Sequence, residues 1–206
     1  MKFILLVLIL VIIAAVYLYI ENHFILAKRH EDFGGDVKIL HISDCHKRNN
    51  STYNKRILSA AQQEKPDLIF ITGDFVSRTE TDFSLCEAFL HGLCEIAPVY
   101  LCMGNHEQSF IHDNQQEFLD AMHRTKAEIL MNSGRHVKIK GREFYICGVM
   151  PEYSVYKKDG GYKNLDDFTL DDMKKNLGDC PRGEVLLLAH NPLFGAVYAD
   201  WGADYT

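Results

Sequence analysis

The chain carries no surplus of positive charge: 22 Lys and Arg stand against 28 Asp and Glu, a formal net charge of -6. Nonspecific binding to a phosphate backbone depends on clustered cations that release counterions, so nucleic acid is not an expected partner. An anionic substrate would need metal ions, rather than basic side chains, to neutralise it. Paired cysteines are also missing. Cys45, Cys86, Cys94, Cys102, Cys147 and Cys180 contain no C-x-x-C, and most lie in apolar runs where a thiol packs as a small hydrophobe. Free thiols are expected, not a zinc site. G-x-x-x-x-G-K-[ST], G-x-G-x-x-G and G-x-S-x-G are all absent, which sets aside P-loop nucleotide binding, dinucleotide folds and serine hydrolases. No internal repeat or low-complexity tract occurs in the 206 residues, a length that suits one catalytic domain and a short appendage.

What the sequence does have begins at its first residues. Residues 3–20 read FILLVLILVIIAAVYLYI, without a charge or a helix breaker. At 1.5 Å per residue this run nearly crosses a hydrocarbon core. It exceeds a usual signal-peptide apolar region and lacks a small-x-small cleavage site, so residues 1–20 are expected to form a single transmembrane anchor. Lys2 on one flank and Lys28 and Arg29 on the other leave the orientation open; the very short N-terminal tail tips the reading towards an extracytoplasmic domain. Residues 21–36, ending in Gly34-Gly35, read as a linker, and residues 37–206 as the domain.

Short apolar runs at 37–43, 67–72, 99–103, 143–149 and 184–189 have the character of buried strands. Helical periodicity covers 52–64 and 81–96, with further helices expected at 115–126 and 165–177. Ser133-Gly134 and Gly160-Gly161 look like turns, and residues 151–164 form an aromatic and basic loop containing Tyr153, Tyr156 and Tyr162. Strand alternating with helix implies parallel pairing through crossovers, hence an α/β layered fold. Ligands in such sheets gather at the carboxyl ends of strands.

Those ends carry Asp44-Cys45-His46, Gly73-Asp74, Gly104-Asn105-His106-Glu107 and His190-Asn191-Pro192. Carboxylate and amide oxygens mixed with imidazole suit Mn, Fe or Zn, and one shared carboxylate can bridge two such ions. Alone, each piece has an ordinary reading: a turn, a common loop dipeptide, a hydrogen-bonded rim histidine. Their recurrence at the same end of successive strands argues for a joint role.

D-x-H, G-D, G-N-H-E and a later strand-end His together resemble the calcineurin-like metallophosphoesterase superfamily. HISDCH, PDLIFITGD and PVYLCMGNHE, behind an apolar N-terminal helix, resemble its bacterial membrane-associated branch. The resemblance implies a sandwich of two β-sheets flanked by helices. It also implies two divalent metal ions, the first held by Asp44, His46 and Asp74 and the second by Asp74, Asn105 and His190. His106 would stand beside the leaving-group oxygen as general acid. The implied substrate is a phosphomonoester, phosphodiester or pyrophosphate, with lipid-linked phosphates among the candidates.

Two departures accompany the resemblance. Where many members carry a further Asp and Arg after G-D, this chain has Ser77 and Arg78, which removes the Asp expected to orient His106. The family's final G-H-x-H is also absent before Thr206. The expectation is therefore a chain incomplete at its C-terminus, with weakened metal sites and an unpaired sheet edge. A noncatalytic membrane-anchored module is the alternative.

Overall fold

The computed structural model describes residues 2–24, 29–46, 50–156 and 168–206. After helix α1 (Lys2–Phe24) come β1 (Ile39–Ile42), α2 (Ser51–Glu64), β2 (Leu68–Thr72), α3 (Ser84–Cys94), β3 (Val99–Cys102), α4 (Asn105–His112), α5 (Gln116–Arg124) and β4 (Glu128–Ile129). The second half contains β5 (Ser133–Ile139), β6 (Arg142–Gly148), α6 (Tyr153–Tyr156), α7 (Leu170–Leu177), β7 (Glu184–Leu188) and α8 (Gly195–Trp201). β1 to β4 form one parallel sheet in chain order; β5, β6 and β7 form a second. In the second sheet β5 and β6 are antiparallel, whereas β6 and β7 are parallel.

Alternation along the strands builds the layers. Leu68 and Phe70 of β2, Tyr100 and Cys102 of β3, Phe144 and Ile146 of β6, and Leu186 and Leu188 of β7 pack together between the sheets. The intervening Ile69, Ile71, Val99 and Leu101 face a core shared with Ile57 of α2, Leu90 of α3 and Phe118 of α5. Val185 and Leu187 face Met173 of α7 and Trp201 of α8. Period-two side chains on strands buried on both faces leave no polar positions. That is why these strands read as unbroken apolar runs. The result is two sheets face to face with helices outside each, the layered α/β sandwich expected.

Helix ends follow local chemistry. The Asn50 side chain accepts from Tyr53 N at the start of α2, and Lys65 closes that helix in the left-handed region at φ 49°. Thr169 and Asp172 cap α7 reciprocally, a pairing that satisfies two otherwise orphaned N–H groups.

Several expectations need correction. Ser133-Gly134 is the start of β5 rather than a turn. That strand lies at a sheet edge with several side chains exposed, so it lacks the apolar run that marks the others. Helix α4, not among the expected helices, is opened by Asn105, His106 and Glu107. The far edge of β7 is not bare: Leu187 N donates to Tyr205 O, and Asp204 N and Tyr205 N approach Val185 O. Gly160-Gly161, Tyr162 and much of the aromatic loop lie outside the described residues, while Tyr153 belongs to α6.

Among the described residues no helix is long and apolar enough to cross a membrane, so the expected anchor is not shown. The large apolar side chains along residues 4–20 of α1 are nonetheless exposed.

At the opposite end of the sheets from the strand-end motifs, the Asp67 carboxylate accepts from Lys38 N and Lys140 Nζ, both at 2.7 Å. The Lys140 hydrogen bond, then that from Lys38, holds the Asp67 carboxyl below its ordinary range. Its stabilisation is thus present above the unfolded value near 4 and lost as pH falls through the lower folded value. Asp67→Asn is expected to lower Tm at pH 7 by roughly 2–4 °C, the shift that about 1 kcal/mol makes in a domain of this size. The deficit should shrink below pH 4 in thermal scans; an unchanged deficit at pH 3 would contradict this account.

Candidate metal centre

Four strand ends converge because the two sheets are packed with β1, β2, β3 and β7 pointing the same way. The loops are laced by backbone hydrogen bonds: Asp44 N donates to Gly73 O and His46 N to Asp74 O. Asp44 and Asp74 both sit at positive φ, 56° and 51°. Asp tolerates that left-handed region better than most non-glycine residues, and here it swings each carboxylate inward. Gly73 turns out of β2 at φ 80°. Gly104 serves a different need from Gly73. Its φ of -88° is ordinary, but an added Cβ would lie 2.2 Å from Asp74 Oδ1. Close approach of the two loops requires that glycine.

All six predicted site residues meet here. One ligand atom from each of Asp44, Asp74 and His190 lies within 4.8 Å of the others, and the same holds for His46, Asp74 and His106. Asp74 belongs to both groups and is almost fully buried, at 4% exposure. The grouping differs in one respect from that implied by resemblance: His46 shares its cluster with His106, and Asp44 shares its cluster with His190. Asn105 lies against His190, with its amide oxygen 3.1 Å from Nε2.

The donor set fits cations. His190 Nδ1 is 2.8 Å from Thr72 O, so Nδ1–H donates to that carbonyl and Nε2 keeps its lone pair. This is how metal-binding histidines are held. That lone pair faces Asp74 Oδ2 at 3.5 Å and the Asn105 amide. With the amide oxygen inward, three acceptors converge with no proton between them, a geometry a cation would satisfy. With the amide reversed, its nitrogen donates to His190 Nε2 and Asp74 Oδ2, and its oxygen accepts from Arg78 Nη2 at 2.8 Å. The reversed orientation thus satisfies the Asn105 amide with protein partners alone, whereas the inward one would call for a cation.

His106 also has two roles open to it. Its Nε2 is 3.7 Å from Asp74 Oδ2, and its ring lies 4.2 Å from that of His46. Nδ1 is 3.2 Å from both Val76 O and Arg78 N. Donation from Nδ1–H to Val76 O leaves Nε2 as a metal-type acceptor. Acceptance from Arg78 N–H puts the proton on Nε2, as a general acid needs.

Glu107 is part of the G-N-H-E motif, but sequence reasoning gives it no role. Its side chain is completely buried. Oε2 accepts from Asp74 N at 2.7 Å and Gly104 N at 2.8 Å, and Oε1 from Val76 N at 3.0 Å. Burial first, then the nearby Asp74 charge, pushes its carboxyl up to about 7, against the pull of the three N–H groups. The available signal was position: in α4 it is the third helical residue, from which a Glu reaches back to the cap. Thr72 was likewise missed. Its hydroxyl lies 2.6 Å from His41 Nε2, while its carbonyl orients His190.

Known proteins are similar to this chain. Over 161 residues the chain is 24% identical to the uncharacterized metallophosphoesterase YkoQ of Bacillus subtilis (strain 168), covering 76% of this chain and 53% of that one. It is 25% identical over 127 residues to the phosphodiesterase YaeI of Escherichia coli (strain K12), covering 57% and 45%. The chain thus spans about half the length of these curated relatives. TT1561 of Thermus thermophilus superposes with a TM-score of 0.56 at 12% identity, covering 82% of this chain and 79% of the other, which shows a shared fold. The family model described as calcineurin-like phosphoesterase matches residues 37–205, and this chain belongs to that family of metal-dependent hydrolases.

Proposed function

We propose that this chain hydrolyses a phosphomonoester, phosphodiester or pyrophosphate at a two-metal centre held by Asp44, His46, Asp74, Asn105 and His190. The observation that carries the reading is the membership of buried Asp74 in both ligand clusters. Divalent ions of the Mn, Fe or Zn type supply charge neutralisation for the phosphoryl oxygens and an activated water. The chain's part is to fix the ligands. Thr72 O orients His190, the amide of His106 donates to Asp74 Oδ1 at 3.0 Å, and Ser43 Oγ donates to Asp44 Oδ2 at 2.5 Å. Each bond removes a rotamer that would scatter the ligand atoms.

His106 is assigned to the leaving-group oxygen as proton donor, through the tautomer in which Nδ1 accepts from Arg78 N–H. Its cluster with His46 and Asp74 favours a second reading, as a direct metal ligand. His106→Ala separates them with an aryl phosphodiester and Mn²⁺. As an acid it is expected to lose about 10²–10⁴-fold in kcat with metal content preserved on dialysis; as a ligand it loses metal as well. Full activity in the variant excludes both roles.

α1 extends the proposal to membrane attachment, with lipid-linked phosphoesters among the substrates. Its exposed apolar side chains support this, since such a surface is costly in water. Recovery of the full chain in the soluble fraction without detergent would count against it.

A further inference from the structure

Beside the metal centre lies a cavity of about 300 Å³ bordered by Arg78, Ser109, Phe110, His112, Asp113, Gln115 and Tyr153. That volume is at the lower end for small-molecule sites. Two features tie it to the centre. Arg78 belongs to both: its N–H faces His106 Nδ1 and its guanidinium reaches the Asn105 amide. Helix α4 also runs from one to the other. Asn105 opens it, and Ser109 and His112, four and seven residues on, share its face. His112 is therefore roughly 10 Å along the axis from Asn105 at 1.5 Å per residue.

At the outer end, the His112 and Tyr153 rings are stacked, with centroids 5.0 Å apart and planes 22° from parallel. This pair joins α4 to α6 and puts two partly exposed aromatic rings on the border of the cavity. Polar groups dominate the rest of the rim, with the Arg78 cation nearest the centre and Asp113 farther along α4. An acyl chain would meet only Phe110 as a wholly apolar side chain, and that one is almost fully buried. A compact ring with polar substituents would meet aromatic side chains and hydrogen-bonding partners.

We propose that this cavity seats the leaving group of the substrate, and that His112 and Tyr153 select phosphoesters whose leaving group is a compact, planar, polar ring. The inference rests on the phosphoester reading above. With the Asn105 oxygen turned towards the metal centre, Arg78 is released to the phosphate end of the cavity.

Nonhydrolysable probes test this without turnover. Binding of phenylphosphonate and methylphosphonate to the full chain with Mn²⁺ is measured by calorimetry. Wild-type protein is expected to bind the phenyl compound about tenfold more tightly, a ratio in keeping with one aromatic contact. His112→Ala and Tyr153→Ala should bring the ratio to about one while leaving methylphosphonate affinity unchanged; Tyr153→Phe should retain it. Equal affinity of wild-type protein for both probes overturns the pocket assignment. Equal weakening of both probes in the Ala variants overturns it too, because that marks a general disturbance. Failure to bind either probe in the presence of Mn²⁺ defeats the phosphoester reading itself.

Discussion

Asp74→Asn is expected to lower turnover of an aryl phosphodiester on the order of 10³-fold and to strip metal from both clusters on dialysis. Among the described residues, Asp74 is the carboxylate that both clusters share, 3.5 Å from His190 and 3.7 Å from His106. An amide of the same size still accepts from His106 N, so the loop should keep its shape. What it loses is the negative charge that lets one side chain serve two cations. Asp44→Asn makes the contrast, since Asp44 belongs to one cluster alone. Its metal loss should be partial. Metal analysis beside circular dichroism reads both variants. A folded Asp74→Asn protein that keeps as much metal as Asp44→Asn would defeat the shared-carboxylate assignment.

The carboxyl-end motifs were legible because two rules coincide in them. Strands buried on both faces must be apolar throughout, so β2, β3 and β7 stand out, and parallel strands direct their ends to one pole. Asp44, Asp74, Asn105, His106 and His190 therefore declared a common site from sequence. Less legible was whatever depends on a neighbour distant in sequence. β5 is a half-exposed edge whose partner β6 supplies the hydrogen bonds, so its own residues carry little signal. The two-residue β4 exists through its pairing with β3. Gly104 reads as a turn residue, yet the constraint on it is Asp74, thirty positions earlier. His46 and His106 come together through tertiary packing that D-x-H spacing does not reveal. The His112 and Tyr153 stack likewise joins residues from separate elements.

Glu107 makes the same point energetically. Glu107→Ala would leave the N–H groups of Asp74, Val76 and Gly104 buried without their acceptor. Each unsatisfied donor costs about 1–3 kcal/mol, while removing a buried carboxylate returns part of that. A net loss of about 2–4 kcal/mol is expected in urea unfolding. Glu107→Gln discriminates further. Its amide oxygen can replace Oε2 and accept from Asp74 N and Gly104 N, but its NH₂ then meets the N–H of Val76, donor against donor. The loop carrying Asp74 must shift to relieve that contact, and Asp74 is the carboxylate both clusters share. Metal affinity in Glu107→Gln should therefore fall roughly 10–100-fold, as when a group that orients metal ligands is altered, with a smaller stability loss than in the Ala variant. Calorimetric titration with Mn²⁺, paired with urea unfolding of the metal-free protein, measures the two effects separately. If Glu107→Gln binds Mn²⁺ like the wild type, its carboxylate contributes to folding alone, and the bridge from Gly104 through Glu107 to Asp74 does not position the ligands.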